Sequence, residues 1–244
     1  MVHSAARNGK MQLTMPFSLR SPHLIESKTT FSILALALAA CSLCPGTLHG
    51  QEKLGQEKKE PKQTVYDFSL VDQSGKTVSL STYKGKLLLI VNLASQSIYS
   101  SQIAALNDLQ KTYASQGLQI IGIPSADFGG EELKDPAALK KYYSETAHAE
   151  FPVFSSATIT GVNEIPLYKF LCDPKQSLPG GDLHWNYTKF LVDREGHPLA
   201  RYELDVDPAD IEFHVNIEDA LAGKLKKQPA GDKPATSGDD DDDN

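Results

Sequence analysis

The stretch LLLIVNLASQSIYSSQ, residues 87–102, decides the fold class of this chain. Its first seven residues are almost all apolar, which is typical of a central strand covered by helices on both faces. A small polar loop that contains Ser97 follows, and residues 101–116 then show the apolar spacing of a helix. The apolar face of that helix is formed by Ile103, Leu106, Leu109 and Tyr113. The sequence therefore predicts a buried strand that leads through a short loop into an amphipathic helix.

The segments on either side of this stretch predict one α/β domain with a mixed central sheet flanked by helices. Residues 65–80 have alternating apolar positions around a turn at 72–75, which predicts an N-terminal hairpin. Asp135 followed by Pro136 predicts the start of a helix. The remaining predicted elements are strands at 118–124 and 152–156, a short helix or turn at 164–171, a hairpin at 185–204, and a last helix from Asp207 to Gly223.

The N-terminal part of the chain predicts export. Residues 31–44, FSILALALAACSLC, follow a polar segment with basic residues and are fewer than the roughly 20 apolar residues that a membrane span needs. This pattern is typical of a secretory signal peptide. Residues 38–41, LAAC, resemble a bacterial lipobox with lipidation on Cys41, and ordinary cleavage near residues 49–50 is the alternative. We expect an exported protein, periplasmic or anchored to a bacterial membrane by the lipid on Cys41.

The composition of the chain predicts its segments, and its net charge argues against nucleic acid as a partner. We expect a signal segment at 1–44, a flexible linker at 45–63, a folded domain at 64–224 and a disordered acidic tail at 225–244, with no metal site. Calcium binding by the aspartates 239–243 is the alternative reading of the tail. Removing residues 1–40 takes away four basic residues and one acidic residue, so the net charge falls from −7 to −10. This charge argues against nucleic acid as a partner.

The cysteines predict no disulfide framework. The chain has three cysteines, and Cys41 and Cys44 belong to the export segment. Only Cys172 is left for the folded domain, where one cysteine cannot form an internal disulfide. A single cysteine in a domain is most simply a small buried apolar residue.

Residues 65–224 resemble the glutathione peroxidases, thiol or selenol enzymes that reduce hydroperoxides in the response to oxidative stress. The matching segments are VSLSTYKGKLLLIVNLASQ at 78–96, FGG at 128–130, AEFPVF at 149–154, PLYKFL at 166–171 and WNYTKFLVDREG at 185–196. The resemblance implies a thioredoxin-like fold, no bound cofactor, and glutathione or thioredoxin as the reductant. Because only a short segment separates the last two motifs, the chain resembles the monomeric type, which uses thioredoxin or acts on lipid hydroperoxides.

The resemblance also assigns the site residues. The family uses a peroxidatic cysteine or selenocysteine, a glutamine, a tryptophan and an asparagine. Trp185 and Asn186 match the last two, whereas Ser97 stands at the peroxidatic position. Asp127 stands at the glutamine position, in IPSADFGG where the family pattern reads close to FPCNQFGG. Ser144 stands at the position of the resolving cysteine that some members carry on the following helix.

These substitutions predict that the peroxidatic cycle is lost. A cysteine can be held as a thiolate near neutral pH, whereas a serine hydroxyl is far less acidic and has no oxidation ladder. Asp127 replaces an amide donor with a negative charge, and Ser125 replaces a further common cysteine. We expect a structural protein or one that binds a hydroperoxide or thiol ligand.

Two alternatives stay open at this stage. Cys172 could support residual peroxidase activity if its thiol were exposed and acidic. Ser97 and Asp127 could also form a hydrolase triad with a histidine, which requires a geometry that the sequence does not show. The candidates for that histidine are His148, His184, His197 and His214.

Overall fold

A computed structural model describes residues 62–176 and 180–229, which belong to the unit Lys58–Asn244. The predicted signal segment with Cys41, the linker up to residue 61 and the tail from residue 230 lie outside the described residues, so these assignments stay predictions. In the described part of the chain no helix is long and apolar enough to cross a membrane. The same part holds no group of three or more histidine, cysteine, aspartate or glutamate side chains suited to a metal ion.

The described chain alternates strands and helices, as predicted. In chain order the elements are β1 (Ser69–Val71), β2 (Thr77–Ser79), β3 (Leu87–Leu93), α1 (Gln102–Tyr113), β4 (Leu118–Pro124), α2 (Pro136–Lys141), α3 (Pro166–Leu171), β5 (Lys189–Val192), β6 (Pro198–Tyr202) and α4 (Ile211–Leu221). The strands β1 and β2 form an antiparallel hairpin, which confirms the predicted N-terminal hairpin.

The central sheet is mixed and has the order β4-β3-β5-β6. Strand β3 runs parallel to β4 and antiparallel to β5, and all seven of its residues are buried. Leu89 and Val91 belong to a core cluster with residues of α1 and α4, whereas Leu88 and Ile90 belong to a second cluster with α3 and β1. Both faces of β3 are therefore covered, which explains its apolar sequence and confirms the predicted α/β fold.

The predicted strand at residues 152–156 is wrong. Val153 forms an isolated bridge with Gly122, and Phe154 forms one with Asp72. The Phe154 amide donates to the Gly122 carbonyl at 2.9 Å, and the next amide, that of Ser155, donates to the Val71 carbonyl at 2.8 Å. Because the segment changes its partner within two residues, it forms no continuous ladder.

Two predicted boundaries move for local reasons. Val65–Asp67 form a 3-10 turn in place of the first strand residues, and the Asp67 carboxylate accepts a hydrogen bond from the Thr64 amide at 2.8 Å. The last helix begins at Ile211, because the Asp207 carboxylate accepts from the Ala209 amide at 2.9 Å and closes a turn before the helix.

Two predicted helix ends are confirmed. The Asp135 carboxylate caps α2 by accepting from the Ala138 amide at 2.9 Å, and Pro136 is the first helical residue. Helix α1 continues into a short 3-10 turn that ends at Gly117, whose φ of +110° favours glycine.

Candidate active site at the carboxyl end of β3

Ser97 lies in the loop between β3 and α1 and is 3% exposed. It precedes a 3-10 turn, Ile98–Ser101, and its hydroxyl oxygen accepts a hydrogen bond from the Tyr99 amide at 3.4 Å. The Ser97 amide donates to the Ala94 carbonyl at 3.3 Å. The side chain is therefore buried and acts locally as a cap, which is ordinary behaviour for serine at this position.

Hydrogen bonds to Asn92 hold the segment that contains Trp185 and Asn186 at the end of β3. The Asn92 side-chain amide donates to the Trp185 carbonyl at 3.1 Å, and the Tyr187 amide donates to the Asn92 carbonyl at 2.8 Å. Tyr187 has a φ of +63°, an uncommon and strained conformation for a bulky side chain. Its phenol hydroxyl donates to the Ala94 carbonyl at 3.2 Å, so it joins this segment to the loop of Ser97.

Asn186 is fully buried and contacts a carboxylate. Its side-chain amide donates to Glu131 Oε2 at 3.0 Å. The Glu131 backbone carbonyl in turn accepts from the Gln96 amide at 2.9 Å, next to Ser97. Glu131 therefore holds the Asn186 donor and is joined to the loop of Ser97.

Asp127 makes its hydrogen bonds elsewhere. Its carboxylate accepts from the Ile159 amide at 2.6 Å and from the Thr160 amide at 3.1 Å. Its own amide donates to the buried Ser125 hydroxyl at 3.3 Å. These contacts make Asp127 an anchor between two loops. Its predicted effect on an anion at Ser97 stays a prediction.

The turn that follows Asp127 contains two adjacent glycines. Gly129 has a φ of +64° and Gly130 a φ of +69°, and both values lie in the left-handed region that favours glycine. Phe128, at the start of this turn, packs against Trp185 with 5.9 Å between the ring centroids. The turn thus brings Glu131 to the site and supports the tryptophan.

Glu132 is a buried carboxylate, 2% exposed, beneath the loop of Ser97. Its Oε1 accepts hydrogen bonds from the Ser95 hydroxyl and, at 3.3 Å, from the Ser95 amide. The Leu133 amide donates to the same oxygen at 2.8 Å, and the Tyr143 hydroxyl donates to Oε2 at 2.7 Å. Burial raises the pKa of Tyr143 far above its usual value, so the phenol remains a hydrogen-bond donor.

Ser144, at the position of the resolving cysteine, and Cys172, the cysteine of the folded domain, both lie away from the loop of Ser97. Ser144 is exposed in a π-helical turn, Tyr142–Thr146, and its hydroxyl donates to the Lys140 carbonyl at 2.8 Å. Cys172 ends α3 and is half-buried, and burial raises the pKa of its thiol to about 12. It lines a cavity of about 620 Å³ that also includes Phe128. Neither Ser144 nor Cys172 is part of the hydrogen-bonded site around Ser97 and Asn186.

Three of the four candidate histidines of the hydrolase hypothesis lie beside other groups, and the fourth, His148, is exposed. His197 pairs with Asp193 at 3.5 Å, and the His214 ring shares a 3.0 Å hydrogen bond with the Tyr113 hydroxyl. His184 Nδ1 lies 3.6 Å from Glu203 Oε2. These contacts give no support to a serine triad.

A buried lysine supports the strained backbone next to Asn186. The Lys189 ammonium donates to the Tyr187 carbonyl at 2.9 Å and to the Glu203 carbonyl at 3.4 Å. Burial lowers the pKa of Lys189 to about 7, although the carboxylates of Asp207, Asp205 and Glu203 oppose this shift.

The lowered pKa predicts a pH-dependent stability. Between pH 7 and pH 10.5 the unfolded chain keeps the proton that folded Lys189 releases, so the free energy of unfolding rises with pH. We expect Lys189→Met to remove this slope, up to about 1.4 kcal/mol per pH unit. Urea denaturation of both proteins at pH 7, 8 and 9 measures it. The prediction is contradicted if the free energy of unfolding changes with pH by the same slope in the unmodified protein and in Lys189→Met.

The sequence reasoning missed Glu131 and Glu132. They follow Phe128, Gly129 and Gly130 directly, so two acidic residues adjoining a matched motif were an available signal. The sequence does not show that the two residues have different partners. The Glu131 carboxylate binds the Asn186 amide, whereas the Glu132 carboxylate is buried against Ser95 and Tyr143.

Comparison with known protein families gives one clear relationship. Residues 65–172 match the family model described as glutathione peroxidase. A probable phospholipid hydroperoxide glutathione peroxidase of Solanum lycopersicum is 41% identical over 151 residues, which are 62% of this chain and 89% of that protein. A protein of the same description from Citrus sinensis is 42% identical over 154 residues, 63% of this chain and 92% of its own length.

Solved structures agree with this relationship at the level of the fold. The apo crystal structure of Trgpx has a TM-score of 0.53 and 28% identity, and the match covers 69% of this chain and 99% of that chain. The crystal structure of T. cruzi GPX1 has a TM-score of 0.51 and 27% identity, with 66% and 97% covered. The similarity extends over nearly the whole of both solved chains, which supports the thioredoxin-like arrangement of the described domain.

Proposed function

This chain belongs to the glutathione peroxidase family, and we propose that it is a member in which the thiol-based reduction of hydroperoxides has been lost and a binding site remains. The observation that carries the proposal is Ser97, buried at the end of β3 where the resemblance places the peroxidatic residue. Trp185 and Asn186 flank the same loop. A folded site without its sulfur is suited to binding, because Trp185 and Asn186 are still held beside the loop of Ser97.

The chemistry of serine supports this proposal. In the thiol reaction a thiolate attacks one peroxide oxygen, the O–O bond breaks, and the sulfur becomes a sulfenic acid while water or an alcohol leaves. A serine hydroxyl requires a paired general base before it acts as a nucleophile. The Ser97 hydroxyl instead accepts a hydrogen bond from the Tyr99 amide, which favours a capping role.

Cys172 offers a poor replacement for the missing thiol. Its pKa of about 12 leaves roughly one part in 10⁵ as thiolate at pH 7. The reactive form of cysteine is the thiolate, so a half-buried neutral thiol reacts slowly with peroxide. Residual peroxidase activity through Cys172 is therefore the weaker alternative.

We expect the purified protein to show no turnover of hydrogen peroxide or phospholipid hydroperoxide with glutathione or thioredoxin as reductant. A Ser97→Cys variant should gain measurable turnover, because the sulfur returns to a buried loop beside Trp185 and Asn186. Peroxide consumption over the uncatalysed rate is the measurement.

Turnover by the unmodified protein would overturn the proposal. The Cys172→Ser variant then decides whether that thiol carries the activity. A Ser144→Cys variant is the matched control for Ser97→Cys, because it adds a thiol at an exposed position outside the site.

Export, lipidation of Cys41, a monomeric state and docking of a thiol reductant remain proposals. Export and lipidation rest on the composition of residues 31–44, and the other two rest on the resemblance to the short members of the family.

A further inference from the structure

A shallow depression of about 440 Å³ lies beside the loop of Ser97. Most of its lining is apolar or aromatic, and its residues are Ile98, Tyr99, Glu131, His184, Trp185 and Leu204. Ile98 is 82% exposed and Trp185 is 36% exposed, so two large apolar side chains of the lining are accessible to a ligand.

The depression carries negative charge. Glu131 is the carboxylate of its lining, and within the described residues no lysine or arginine lines it. The Asn186 amide holds Glu131 Oε2 at 3.0 Å, which fixes the carboxylate but leaves its charge in place. His184, the one titratable base in the lining, lies 3.6 Å from a second carboxylate oxygen, Glu203 Oε2.

We infer that this depression binds a methylated ammonium ion. A cation gains from Glu131 and from the aromatic ring of Trp185, since both residues line the same small space. Methyl groups match the apolar walls formed by Ile98 and Leu204. A primary ammonium would lose hydrogen bonds to water against those walls, whereas a quaternary methylated ammonium has no N–H group and so has none to lose.

The inference rests on the proposed function, because it assigns a ligand class to the same site. The same contacts disfavour an anion in the depression. One N–H of the Asn186 side-chain amide, which would stabilise a developing negative charge, is already paired with the Glu131 carboxylate. The negative charge that opposes an anion is the charge that attracts the ammonium ion.

The chain contains a single tryptophan, so the fluorescence of Trp185 reports on this depression directly. Choline is the probe, and 3,3-dimethyl-1-butanol, which has the same shape without the charge, is the control ligand. We expect a saturable change with choline and an affinity at least about ten-fold above that of the neutral compound.

Glu131→Gln should weaken choline binding about ten-fold while keeping the size of the side chain. The matched control is Glu145→Gln, which removes an exposed carboxylate in the π-helical turn and should leave binding unchanged. Circular dichroism and urea denaturation of each variant establish that it is folded before its affinity is compared.

Three results would overturn the inference: equal affinity for choline and the neutral compound, unchanged choline binding in Glu131→Gln, or no fluorescence change up to 100-fold excess over protein. The hydroperoxide assay on the same preparation separates the two proposals. If choline fails to bind and the protein still lacks turnover, only this inference falls. Turnover would overturn the proposed function whatever choline does.

Discussion

A Ser97→Cys, Glu131→Gln double variant should react with hydrogen peroxide about 100-fold faster than the Ser97→Cys single variant. The reason lies in the 3.0 Å hydrogen bond from the Asn186 side-chain amide to Glu131 Oε2. While this bond persists, one of the two N–H groups of the Asn186 amide is not available to a reacting peroxide. Restoring the sulfur alone therefore restores only part of the site.

Two effects of Glu131→Gln act in the same direction. Glutamine removes the negative charge of a residue whose backbone carbonyl binds the Gln96 amide, next to the introduced thiol, and this change favours the thiolate. It also replaces the ionic acceptor of Asn186 with a neutral amide oxygen, so this hydrogen bond weakens and the Asn186 amide donates more readily to the oxygen that gains charge. Losing one such preorganised donor typically costs about 10² to 10³ in rate, which sets the expected size of the gain.

The measurement is a single-turnover reaction followed by the fluorescence of Trp185. Oxidation of the introduced thiol needs no reductant, so the unknown reductant does not enter the result. The control is Ser97→Cys combined with Glu145→Gln, which removes an exposed carboxylate elsewhere. If the single and double variants react at the same rate, Glu131 does not restrain the site.

Glu132→Ala should lower the free energy of unfolding by about 3–5 kcal/mol. The Glu132 carboxylate accepts from the Ser95 amide and hydroxyl, the Leu133 amide and the Tyr143 hydroxyl. Alanine leaves all four donors without their acceptor in a region where Glu132 is 2% exposed and Tyr143 is 1% exposed. Each buried donor left unpaired costs about 1–3 kcal/mol, and partial relaxation reduces the sum.

Urea denaturation measures the loss of unfolding free energy in Glu132→Ala. Two further variants test whether smaller changes to the same network cause smaller losses. Tyr143→Phe removes one donor and should cost about 1–2 kcal/mol. Glu132→Gln keeps an acceptor oxygen and should fall between Tyr143→Phe and Glu132→Ala. A loss below about 1 kcal/mol for Glu132→Ala would show that water replaces the carboxylate, contrary to the buried network described here.

Much of the fold could be predicted because its signals are local. The apolar run at 87–93 reads as a strand covered on both faces, and β3 is buried at every position. Asp135 with Pro136 and the glycine at 117 mark helix ends through their own backbone preferences. The segment at 152–156 looked equally like a strand, but its pairing depends on Gly122 and Val71, which are distant in sequence.

The sequence by itself determined the family, the α/β fold and the absence of sulfur at Ser97, because these follow from residue identity and local pattern. Only the tertiary structure decided which carboxylate meets the site. Asp127 was the carboxylate named from the sequence, and its Oδ2 accepts from the amides of Ile159 and Thr160, whereas Glu131 accepts from Asn186. The turn at 128–130 sets the direction of each side chain, and hydrogen bonds to residues more than 30 positions away hold it there, so no local pattern could reveal the exchange.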